Sequence, residues 1–86
     1  MSGNLAIFSV EPSQEYLDVS ELSGVTFSSG TSYQIQIRGA ATFCESDTKP
    51  TEGGTYWDRI KPFTFICKGK KLWILPARES SVNISD

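Results

Sequence analysis

The chain has 86 residues, a mass of 9.5 kDa, 38% hydrophobic residues and a formal charge of −2. So short a chain reads as one domain, residues 1–86, with a thin core, because folding hides only roughly 60–65% of its unfolded surface. No apolar run approaches the roughly 20 residues needed to cross a bilayer, and Met1-Ser2-Gly3-Asn4 lacks the basic flank of a secretory signal, so a cytosolically folded protein without a membrane partner is expected.

In chain order, the first predicted strand covers residues 5–10. Residues 13–22 follow, where Tyr16, Leu17, Val19 and Leu22 leave the period open: a strand at 16–19 is expected, and a short helix capped by Ser13 is the alternative. A short strand is expected at 25–27. The clearest signal is Tyr33-Gln34-Ile35-Gln36-Ile37-Arg38, whose apolar and polar residues alternate with the period of a half-buried strand, bounded by Gly30-Thr31-Ser32 and Gly39. Another strand is expected at 41–44.

Residues 45–55 are polar and rich in Pro, Gly and Thr, and read as a surface loop. Tyr56 and Trp57 come directly after it. These rings either fold back to roof the core or anchor into a neighbouring protein. Farther on, residues 63–67 and 72–75 are rich in aromatic and branched side chains and flank Lys68-Gly69-Lys70-Lys71. They read as a β-hairpin with its lysines at a solvated tip and with Pro62 and Pro76 marking where pairing begins and ends. A last strand is expected at 82–84. Many short strands with frequent turns predict an all-β domain, a small antiparallel β-sandwich or β-barrel of about six to eight strands.

The chemistry-bearing residues are few. Without histidine, acid–base work would fall to carboxylates, lysines, tyrosines or the two cysteines, and none is convincingly arranged; the chain reads as a non-enzyme. Cys44 and Cys67 sit in strands and read as packed free thiols, with a bridge as the alternative. Two cysteines alone cannot complete a Cys/His zinc set, so neither metal nor cofactor is expected. Gly53-Gly54 lacks the context of a phosphate loop and reads as a turn. Lys68, Lys70 and Lys71 beside Trp73 raise a single-strand nucleic-acid barrel, against which stand a pI near 5.0 and the short reach of three charges. Charge is uneven: residues 1–43 carry one base against four acids, whereas residues 44–86 carry seven bases against six acids. That asymmetry would let neighbouring copies meet acidic end to basic end, although a solvated surface is the commoner explanation.

A resemblance adds to this reading. Gly30-Thr31-Ser32-Tyr33-Gln34-Ile35-Gln36-Ile37-Arg38-Gly39, Cys44-Glu45-Ser46, Lys49-Pro50-Thr51, Lys61-Pro62, Gly69-Lys70-Lys71-Leu72-Trp73-Ile74 and Val82-Asn83-Ile84 occur in that order. The series resembles small accessory β proteins of tailed-bacteriophage virions, of the capsid decoration or cement kind. The resemblance implies a virion structural protein, folded in the host cytoplasm, that binds the major capsid protein or another virion protein and stabilises the particle, as a homo-oligomer with a trimer favoured. It transfers no catalytic residues. Tyr56, Trp57, Arg59 and Trp73 are the candidate protein–protein contacts, because aromatic residues and arginine are enriched in interface cores. The alternatives are a tail-fibre or host-attachment module binding a surface glycan or a fibre partner, and the single-strand nucleic-acid barrel.

Overall fold

The computed structural model describes residues 4–51 and 54–86, with side chains other than those of residues 4 and 55–61. Among the described residues six strands and one short helix follow one another: β1 (Asn4–Val10), β2 (Leu17–Asp18), α1 (Val19–Ser23), β3 (Ser32–Ser46), β4 (Thr55–Ile66), β5 (Lys71–Pro76) and β6 (Ser80–Ser85). All pairings are antiparallel, and the strands form a single curled sheet, a half-barrel, in the order β1-β6-β3-β5-β2 with β4 added to β3.

β3 is the spine. Its residues 32–43 pair with β4 along one edge. On the other edge residues 34–38 pair with β6 and residues 41–46 with β5, so β5 and β6 lie end to end. β1 and β2 repeat that arrangement one place farther out, on β6 and β5 respectively. The interruptions coincide: residues 11–16 between β1 and β2, residues 77–79 between β5 and β6, and Gly39-Ala40 within β3. The sheet bends along this line.

The bend is required by length. A straight strand of 15 residues would extend roughly 46 Å at about 3.3 Å per residue, whereas the longest dimension of the molecule is 34 Å. Bending brings the two ends of β3 together. Phe43, near one end, meets Phe63, which sits on β4 opposite Ile35, with ring centres 4.9 Å apart.

Local chemistry holds the bend. Gly39 has φ +139°, and a Cβ there would run into Ser80. The Ser80 hydroxyl accepts from the Ala40 N–H at 3.1 Å and donates to the Arg78 carbonyl at 2.8 Å, while the Ala77 N–H donates to the Ala40 carbonyl at 2.9 Å. The turn between β5 and β6 is thereby stitched to the spine.

The core lies inside the curl. Tyr33, Ile35, Ile37, Ala41 and Phe43 of β3 alternate inward, facing Val82 and Ile84 of β6, Phe65 of β4, and Leu72 and Ile74 of β5. Residues 24–31 close one end: the Phe27 ring meets Tyr33 and Phe65 edge-on at 4.8 and 5.3 Å, and the Ser28 N–H donates to the Tyr33 hydroxyl at 2.7 Å.

The all-β expectation holds, with sandwich and barrel reconciled as one sheet folded over itself. Five local readings change. Strands expected at 33–38 and 41–44 are one strand, because Gly39 bends β3 without ending it. The expected hairpin of 63–67 with 72–75 does not form, since β4 and β5 both pair with β3, on opposite edges. Residues 67–70 instead connect the two ends of the curled spine, with Cys67 bonded to Gly30 and Thr31 on the way. Pro62 lies within β4 opposite Gln36; among the described residues β4 pairs with β3 alone, an edge position of the kind where a strand tolerates proline. Residues 25–27 are irregular, and residues 17–23 form β2 followed by α1. The helix is capped by Asp18, which accepts from the Ser20 N–H and hydroxyl, while Ser13 makes a local turn with Glu15.

Candidate interaction surface

The convex face of β1, β6 and β3 is built by the same alternation that fills the core. Opposite the inward residues Phe8, Val82 and Ile37 stand Ile7 and Ser9 of β1, Ser81 and Asn83 of β6, and Gln36 and Arg38 of β3. Register places Ile7, Asn83, Gln36 and Pro62 in one transverse row. Ile7 is 66% exposed and Leu5 43% exposed. Ile7, Gln36, Arg38, Ser81 and Asn83 line a groove of about 200 Å³.

Within the groove, Asn83 Oδ1 is out of contact with solvent and has no hydrogen-bond partner among the described residues. A buried carbonyl left unpaired costs about 1–3 kcal/mol. This strand face therefore combines a protruding isoleucine with a neighbouring guanidinium. Such a set suits docking against another protein surface.

The residues singled out from sequence fall elsewhere. Trp73 is 9% exposed, and its indole N–H donates to the Ser46 carbonyl at 3.0 Å, so its ring is engaged in packing. Tyr56, Trp57 and Arg59 lie on β4 with backbone partners Thr42, Ala41 and Gly39, and their side chains are outside the described residues. Ile7 and Asn83 were missed. Leu5-Ala6-Ile7-Phe8 does not alternate, and that departure is the signal that a β1 apolar residue faces outward.

The rest of the surface has its own internal order. Lys68, Lys70 and Lys71 are exposed, as expected, but on a connection between sheet ends instead of a hairpin tip. Lys71 Nζ is 3.5 Å from Asp18 Oδ2 and 6.0 Å from the centre of the Trp73 ring. Lys49 bridges to Glu15 at 3.2 Å, tying the polar loop to residues 11–16. Both cysteines are free, Cys67 buried and Cys44 partly so. Tyr16 is 4% exposed, and burial pushes its phenol above the usual value, with the nearby Cys44 thiol adding to the effect.

Comparison with protein-family models, curated proteins and solved structures found no match.

Proposed function

We propose that the chain is a non-enzymatic structural protein of a virion, a decoration or cement protein that docks on the capsid through the convex face of β1, β6 and β3. The observation that carries this reading is the 66%-exposed Ile7 on a groove lined also by Arg38 and Asn83. A capsid protein laid on this face covers the isoleucine and meets the Arg38 guanidinium.

The physics of a small domain supports the same reading. A shallow core gains stability when a partner binds the folded state alone. A standard interface, about 800 Å² from each partner, is a large share of a chain whose total accessible surface is 5260 Å². Many copies on one shell add avidity to individually modest contacts. Assembly as a trimer multiplies the groove threefold on one docking unit, as the resemblance to phage accessory proteins implies.

Light scattering across concentration, followed by addition of purified tailed-phage capsids, tests this. A stable small oligomer that co-sediments with capsids is expected. A monomer that stays in the supernatant overturns the proposal.

A further inference from the structure

A second cavity lies at the end of the half-barrel closed by residues 24–31, away from the convex groove. Its volume is about 340 Å³, and its lining includes Thr26, Phe27, Ser29, Cys67, Lys70 and Lys71. That volume is at the lower end of the range for small-molecule sites. One wall is the partly buried Phe27 ring and another the buried Cys67, and the rim is basic.

The two lysines differ. Lys71 is opposed by the Asp18 carboxylate, which is also held by Ser20. Among the described residues Lys70 has neither an ion pair nor a hydrogen bond, and the same holds for the hydroxyls of Thr26 and Ser29. One ammonium and two hydroxyls without internal partners thus line the cavity alongside an aromatic wall. A single exposed lysine holds an anion weakly in water. Useful affinity would therefore require the ligand to fill the apolar part as well.

We infer that this cavity binds a small ligand bearing an anionic group on an aromatic body, the anion at Lys70 with Thr26 and Ser29, and the ring against Phe27. The site is independent of the capsid-docking reading. A free small molecule and the modified side chain of a partner, such as a phosphotyrosine, present the same chemistry.

The experiment titrates the full isotope-labelled chain with phenyl phosphate and follows backbone amide shifts, with inorganic phosphate, phenol and a short phosphotyrosine peptide as parallel arms. Saturating shifts confined to residues 24–29 and 67–71 are expected. Affinity should fall at least about fivefold in Lys70→Gln and stay unchanged in Lys49→Gln, which removes a lysine of the polar loop. The unperturbed remainder of each variant spectrum confirms folding. Inorganic phosphate should bind at least about fivefold more weakly than phenyl phosphate, and phenol should not saturate. The peptide arm separates the sources: binding tighter than phenyl phosphate assigns a partner's side chain, and weaker binding a free small molecule. Shifts spread over all lysines, equal affinity in the two variants, or equal binding of phosphate and phenyl phosphate would overturn the inference.

Discussion

Gly39 and Ser80 show how a single residue governs the curl. At φ +139° an L side chain is strained, and a Cβ would occupy the space of the Ser80 side chain. Gly39→Ala is expected to cost about 3 kcal/mol or more, read from the urea midpoint. Ser80→Ala keeps the backbone relaxed but strips the acceptor from the Ala40 N–H, and should cost about 1–3 kcal/mol in the same assay. The sequence displayed Gly39 as a break in alternation, but a glycine that ends a strand and one that bends it look alike until the opposing residue is known. Trp73 was legible as a large ring and illegible as a packed one, since its fate depends on the Ser46 carbonyl 27 residues away.

Tyr16 provides a pH signature at the same scale. Its phenol is raised in the folded state, so the folded chain holds that proton more tightly than the unfolded chain. Its contribution is complete below the unfolded value near 10 and declines as pH climbs from there through the higher folded value. Unfolding stability measured from pH 8 upward should therefore decline in the parent chain, and Tyr16→Phe should remove part of that decline.

At the scale of elements, most stretches with period-two alternation or β-branched runs lie in strands, residues 25–27 being the exception, and their pairing was not found. Residues 63–67 and 72–75 have the composition of a hairpin, but a composition names strands without naming neighbours. What decides the pairing is the 15-residue spine, which offers two full edges and bends enough for residues 67–70 to link its ends. The strand expected at 16–19, with a helix capped by Ser13 as the alternative, gives way to a two-residue strand and a helix capped by Asp18, whose first residue, Val19, is fully buried. Asp18→Ala removes the cap of α1 and the partner of Lys71 together, and is expected to cost about 1–2 kcal/mol by urea unfolding. Asp18→Asn keeps an oxygen for the Ser20 N–H, so its loss should be less than half as large.

For the whole molecule, the bent sheet accounts for both the thin core and the surface it leaves. Curling one sheet over itself buries a layer of inward residues and leaves Leu5 and Ile7 of β1 exposed on the convex face. An 86-residue domain at about 0.05–0.15 kcal/mol per residue has roughly 4–13 kcal/mol of stability, so covering that face changes its balance appreciably. The most direct measurement is co-sedimentation of Ile7→Asp with purified tailed-phage capsids across concentration, beside the parent chain. Ile7 is exposed, so the substitution should change stability by no more than about 0.5 kcal/mol. The account predicts that the parent chain pellets with the shells and that Ile7→Asp binds at least about tenfold more weakly, since a buried carboxylate without a partner is costly at an interface. A parent chain left in the supernatant, or an Ile7→Asp variant that binds as tightly as the parent, would contradict it.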